Sequence, residues 1–279
     1  MICCGFKIYN RIFDLEDDKL TKIVKQFNIV KGLRKLHLKT GDIAFIHSSL
    51  KSFGYVEGGA ETVIKALLEV LGDDGTLVVP IFRRYFWDGP DQVWDRDNSS
   101  SFMGIISEKV RTWPGSERSH HAPHPVAAVG RLAKDITDRY NKTDFAPDSP
   151  FARMMELNAW IIMIGVDYNT CTMIHLVEEK LQVPYRRWIM LPGIVIEDGV
   201  SERRSYPFYA RYPGVNCDFI PMGRRMEKQG LVNSVKVGKS KILAFHSRDL
   251  YDSVTKALKE DPLFLVSSDT KEEASKYIK

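Results

Sequence analysis

The stretch from Asp42 to Phe82, "DIAFIHSSLKSFGYVEGGAETVIKALLEVLGDDGTLVVPIF", decides the fold. Its opening "DIAFIHSS" is a short β-rich run that follows the turn signal "TGD". The segment "AETVIKALLEVLG" then carries apolar residues at helical spacing and closes on Gly72, after which "DDGTLVVPIF" turns into an apolar strand of the kind buried on both faces of a parallel sheet. Strand, helix and strand in this order make a β-α-β unit. A second apolar run, "AWIIMIGV" at 159–166, repeats the signature, with a polar loop and the helical pattern "TMIHLVEEKLQV" behind it. The fold class is therefore α/β, with a central mostly parallel sheet and helices on both faces, an α/β/α sandwich.

Upstream, "DKLTKIVKQFNIVKGL" has helical periodicity, and its glycine predicts a helix end at Gly32. Beyond Pro192 the pattern breaks into short alternating runs interrupted by Pro and Gly, which predicts an irregular C-terminal third before the helical "SRDLYDSVTKALKEDPLFL". No low-complexity linker or fixed-period repeat divides the chain, so residues 1–279 read as a single domain.

Composition narrows the function classes. With 44% apolar residues the chain can bury a substantial core. Lys plus Arg exceeds Asp plus Glu by 40 − 36 = 4, interspersed and without a basic run, which argues against nucleic acid as a partner and suits a phosphorylated small ligand. No apolar stretch reaches the roughly 18 residues that span a bilayer, and the start has neither the length nor the flanks of a signal peptide. A cytoplasmic location is expected. Cys3, Cys4, Cys171 and Cys217 have no disulfide or metal spacing and read as free thiols.

Three segments can carry chemistry. The first is the polar run at His47 with Gly58 and Gly59 before a helix, whose free N–H groups and dipole suit an anion such as phosphate. An ordinary strand-to-helix turn uses glycines too. The segment lacks a G-x-G-x-x-G fingerprint, and "VGKS" near Gly238 is no P-loop, because Asn233 stands where the leading glycine belongs. The second is "RSHHAPHPVAAVG" at 118–130, in which two prolines hold three histidines on an extended loop. Solvated histidines or a zinc pair of His121 and His124 are the competing readings, and no HExxH or CxxC accompanies them. The third is "NTCTMIHLVEE" at 169–179, where His175 and Glu178 share a helix face one turn after a buried strand. That is where open α/β sheets place ligands, although the same spacing serves surface ion pairs.

In this order and spacing, "HSSLKSFGYVEGGAETVIKALLEVLGDDGTLVVPIF", "PGSERSHHAPHPVAAVG", "SPFARM" and "IIMIGVDYNTCTMIHLVEE" resemble the aminoglycoside N3-acetyltransferase family, antibiotic-modifying enzymes that use acetyl-CoA. The likeness runs from about Thr40 to Trp188, with a weaker echo in "VGKSKILAFHSRDLYDSV". It implies that His47, Ser48, Ser49 and Leu50 lie along coenzyme A and that Gly58 and Gly59 turn a helix N-terminus toward its phosphates. It aligns Arg118, Ser119 and His121 with the family's R-S-x-H, and His175 with Glu178 as its H-x-x-E. Where the family has Pro after the first histidine this chain has Ala122, so the choice between His121 and His124 stays open.

The resemblance implies acetyl transfer from acetyl-CoA to a primary amine of an amino sugar. The attacking amine must be neutral, so a base is needed. His175 is the expected base, with Glu178 orienting it or holding the substrate's charge, His121 in reserve and Thr172 as a donor to the thioester oxyanion. A covalent route through Cys171 is the mechanistic rival. For a cationic sugar the loop "WDGPDQVWDRD" offers Asp88, Asp91, Asp95 and Asp97, and Glu179 adds a carboxylate beside Glu178. A solvated turn explains those aspartates equally well. No metal is expected. Two other classes remain: a metal-dependent hydrolase built on His121, His124 and His175, and a non-catalytic protein that binds coenzyme A.

Overall fold

A computed structural model describes residues 23–82 and 91–278. A helix, α1 (Gln26–Lys35), precedes β1 (Ile43–Ser48), α2 (Gly59–Leu71) and β2 (Thr76–Pro80). Then come β3 (Val93–Asp95), α3 (Ile105–Arg111), β4 (Glu117–Arg118), β5 (Val126–Gly130), α4 (Ala133–Thr137) and α5 (Pro150–Glu156). The second apolar run is β6 (Trp160–Ile164), followed by α6 (Ile174–Leu181), β7 (Arg186–Glu197) and β8 (Val200–Arg211). The chain continues through α7 (Ile220–Lys228), β9 (Asn233–Val237), β10 (Ser240–His246), α8 (Ser247–Glu260) and α9 (Lys271–Ser275).

Among the described residues seven strands form one sheet in the order β4-β5-β2-β1-β6-β10-β9. Its centre, β2-β1-β6, is parallel, and antiparallel strands extend it on both sides. Strand periodicity divides the core into two layers. Phe45, Val78, Ile161 and Met163 face the layer that holds α5, α6 and α8, while Ala44, Ile46, Leu77, Val79 and Ile162 face α1, α2 and α3. The α/β class and the flanking helices agree with the sequence reading.

Gly32 does not end its helix. It lies inside α1, where a Cβ would come 2.4 Å from Val237 Cγ2, so the glycine permits close packing of α1 on β9. The last third is also more regular than its broken alternation suggests. β7 and β8 pair along their whole lengths, from Arg186 opposite Arg211 to Glu197 opposite Val200. Asp198 and Gly199 make the tight turn with φ of 50° and 76°, the positive values that a two-residue hairpin loop requires. With β3 these strands form a second sheet, which packs Trp94, Leu191, Val195, Tyr206 and Phe208 around Ala122. The histidine loop is thereby held between the two sheets. Among the described residues no helix is long and apolar enough to cross a membrane.

Candidate active site

β1 has β2 on one side and β6 on the other, so the chain reverses its direction of progress across the sheet beside β1. Crevices form at the C-terminal ends of strands at such a point. His47 and Ser48 end β1, Pro80 ends β2, and the segment after β6 turns back over them. His47 packs edge-on against Phe45, and burial pushes its pKa down to about 3, so its ring is neutral at physiological pH.

After β6 a 3-10 turn at Tyr168–Thr170 is capped by Asp167, whose carboxylate accepts from Asn169 N at 2.9 Å. Helix α6 follows, and its geometry brings His175 and Glu178 together. Glu178 is fully buried and each oxygen has a partner: Oε1 accepts from the Tyr185 hydroxyl at 2.7 Å, and Oε2 faces His175 Nδ1 and lies 2.9 Å from Arg186 Nη2. Burial alone would raise the pKa of this carboxyl, but the Arg186 charge, His175 and Tyr185 outweigh it and hold it at about 2. Glu178 is thus a permanent carboxylate. An ionised carboxylate only accepts, so His175 Nδ1 donates to it and Nε2 keeps the lone pair. Burial lowers the His175 pKa, Glu178 opposes that, and the Arg186 charge adds to the lowering.

Two cavities of about 320 Å³ each meet at this histidine. His47, Ser48, Phe82, Met103, Cys171 and Thr172 line one of them. The other has three carboxylates, Asp144, Glu178 and Glu179, with Arg186, Arg211 and the aromatic wall of Phe145, Phe208 and Phe219. His124, Asn169 and His175 belong to both. The geometry of the loop puts His124 at this junction, whereas His121 lies off both cavities, buried edge-on against Tyr206. Both rings turn Nδ1 toward Asp144 Oδ1, at 3.0 Å for His121 and 3.1 Å for His124. Burial would raise the Asp144 pKa, but the charges of His124 and His121 hold it well below the usual carboxylate range.

The other residues singled out in the sequence have separate places. Thr172 lines the His47 cavity, and Glu179 lines the acidic one while accepting from the Thr143 hydroxyl. Ser49 donates its backbone N–H to Ile164 O at 2.9 Å, and Leu50 begins a 3-10 segment at 50–53. Gly58 and Gly59 start α2 in left-handed conformations, with φ of 74° and 61°, and line neither of the two cavities. Arg118 donates to the carbonyls of Arg96 and Asp97, and Ser119 Oγ accepts from Val126 N at 2.9 Å, so this pair braces loops. Asp91 pairs with Arg203 at the surface, and Asp95 accepts from the backbone N–H groups of Asp97 and Asn98 in a local turn. Asp88 lies outside the described residues. Among the described residues no three His, Cys, Asp or Glu side chains gather as a metal ion requires.

Tyr185, Arg186 and Asp144 complete the site and were not among the residues singled out from sequence. Tyr185 and Arg186 follow the helix at the entry to β7, where only the pairing of β7 with β8 aims them at Glu178.

Residues 45–259 match the family model described as aminoglycoside 3-N-acetyltransferase. The chain belongs to that family. Aminoglycoside N(3)-acetyltransferase VII of Streptomyces paromomycinus is 28% identical over 260 residues, covering 82% of this chain and 89% of that protein. The crystal structure of aminoglycoside acetyltransferase AAC(3)-IVa, solved as the apoenzyme, superposes with a TM-score of 0.79 at 25% identity, covering 93% of this chain and all of that one. A mutant of the same enzyme, solved in complex with a gentamicin, gives 0.77 at 26% identity, with 91% and 98% covered. The chain is accordingly an N-acetyltransferase of this family, and neither the hydrolase nor the passive binder gains support from these likenesses.

Proposed function

We propose that the protein transfers the acetyl group of acetyl-CoA directly to a primary amine of an aminoglycoside-like amino sugar, with His175 as general base and the whole chain acting as one acetyltransferase domain. The observation that carries this reading is the junction of two cavities at His175, whose Nδ1 is committed to Glu178. Family membership and the gentamicin complex of a relative support the acceptor class. The acidic cavity takes the cationic sugar, and the His47 cavity takes the thioester. His175 Nε2 receives the amine proton as nitrogen attacks the carbonyl carbon. The C–N bond forms, the oxyanion collapses, and the C–S bond breaks to release the coenzyme thiolate. Thr172 is the hydroxyl available to the oxyanion, a role that supplies about 3–4 kcal/mol where it has been measured. Thiol release with acetyl-CoA across a panel of aminoglycosides and simple amino sugars tests the reading, with acetylated product identified by mass. Release with none of them overturns it.

Direct transfer is favoured over an acetyl-enzyme because burial pushes the Cys171 thiol up to about 12, which keeps it protonated. Cys171→Ser should retain kcat within about threefold, roughly 0.7 kcal/mol in barrier. Loss to background in a folded variant would establish a covalent intermediate instead.

The pH profile follows from the environment of His175. A base works in its neutral form, and the lowered pKa keeps the ring neutral to lower pH than an ordinary histidine. The acid limb of kcat/KM should therefore fall below the ordinary value of about 6.5. The acceptor's own ammonium adds a separate limb, so the deciding comparison is with His175→Ala: an acid limb that the substitution leaves unchanged would remove His175 from the role.

A further inference from the structure

We propose that the turn between β9 and β10 binds the phosphate-bearing end of coenzyme A through Lys239 and Lys241. This rests on the acetyl-CoA reading above and assigns the part of the donor that the His175 junction leaves outside. Val166 and Thr170 in the wall of the His47 cavity also line a wider space of about 620 Å³. Its other walls are Ser52, Gly165, Asp167 and the lysine-bearing turn, ending at Leu243. Sharing Val166 and Thr170, the wider space lies beside the His47 cavity, on the side where β10 and β9 extend the sheet from β6. Acetyl-CoA is a long molecule with its thioester at one end and all its phosphates at the other. With the thioester at His175 and the pantetheine arm passing Thr170 and Val166, the phosphates emerge at the lysines.

The turn is built firmly enough to present them. Lys239 N donates to Phe53 O at 3.0 Å, and Gly165 N donates to Lys241 O at 2.9 Å, which ties the turn to the 3-10 segment and to the end of β6. A Cβ on Gly165 would fall 1.9 Å from Ser52 Oγ, so the glycine permits that approach. The stem of Lys239 lies over Gly54, 3.6 Å from where a Cβ would stand. Among the described residues Lys239 makes no ion pair, and Lys241 has only an exposed contact to Glu227 at 3.7 Å. A long, solvated contact of that kind contributes little, so an incoming phosphate can replace it. Among the described residues the one carboxylate in the cavity wall is Asp167, whose Oδ1 accepts from Asn169 N at 2.9 Å. The Gly-Lys-Ser sequence here is not a P-loop, and its lysines act as point charges in the wall of the wider space.

The test compares donors with and without phosphates. In the full chain carrying Lys239→Ala and Lys241→Ala together, KM for acetyl-CoA should rise about tenfold with kcat unchanged. The parameters for S-acetylpantetheine, which has no phosphate, should not move. Added salt should raise the wild-type KM for acetyl-CoA and leave that of the variant nearly flat. An unchanged KM for acetyl-CoA, or an equal loss with both donors, overturns the proposal. If the wild type turns over neither donor, the transfer reading fails. Calorimetry with free coenzyme A then still decides the lysine site: about tenfold weaker binding in the variant supports it, and equal affinity overturns it.

Discussion

His175→Ala should lower kcat/KM by about 10²- to 10⁴-fold, the range a positioned general base supplies and the equivalent of roughly 3–5 kcal/mol in the barrier. The loss should fall on kcat rather than on the KM of either substrate, because the imidazole acts while the amine attacks. Stability should change little. Glu178 keeps Arg186 at 2.9 Å and Tyr185 at 2.7 Å when the imidazole is gone, so no buried charge is stranded. The variant should also lose the acid limb of its pH profile, since the group that titrates there has been removed. Steady-state kinetics across the acid and neutral range, paired with thermal melts, check all three. A melt close to wild type together with undiminished turnover would show that another group takes the proton. His124 is then the candidate, because it stands at the same junction.

The β-α-β core was legible because burial on both faces of a parallel strand leaves no room for polar alternation. "TLVVP" and "WIIMI" are buried throughout, and the intervening helix shows its apolar stripe directly. The hairpin was harder to read. Its strands alternate buried and exposed residues unevenly and carry prolines at 192 and 207, although the Asp198-Gly199 turn stood in the sequence as a hairpin signal. Gly32 misled because a glycine that permits helix-to-strand packing has the same letter as one that ends a helix.

The candidate site divides along similar lines. His175 and Glu178 were visible because three-residue spacing on a helix fixes their proximity locally. Which histidine of the extended loop reaches the cavity depends on Asp144, well beyond His124 in the chain, and on Phe208 of the second sheet, stacked on the ring at 5.6 Å. No local period encodes that. Arg118 and Ser119 match the family's R-S-x-H, and their hydrogen bonds go to backbone groups of neighbouring loops, a use that spacing cannot distinguish from binding.

Arg186→Met should destabilise the fold by about 3–5 kcal/mol at neutral pH, the usual cost of removing one partner from a buried ion pair. Arg186 holds Glu178 at 2.9 Å and also donates to Tyr209 O at 2.9 Å, so the substitution leaves a buried carboxylate without its guanidinium partner. The sign with pH follows from linkage. In the wild type the folded pKa of Glu178, about 2, lies below its ordinary value of 4.5, so its stabilisation is complete above 4.5 and is lost as pH falls toward 2. In the variant the Arg186 charge no longer offsets burial, so the folded pKa moves up from the wild-type value and the penalty shrinks as acid protonates the group. The stability gap between the two proteins should therefore be widest at neutral pH and narrow on acidification. Urea unfolding of both at neutral pH and near the ordinary carboxyl value of 4.5 reads it directly, and a gap that stays constant would mean that Glu178 is not the group in distress. Activity should fall as well, because Arg186 no longer holds the Glu178 oxygen that faces His175 Nδ1, and the ring then loses the orientation that points Nε2 at the acceptor amine.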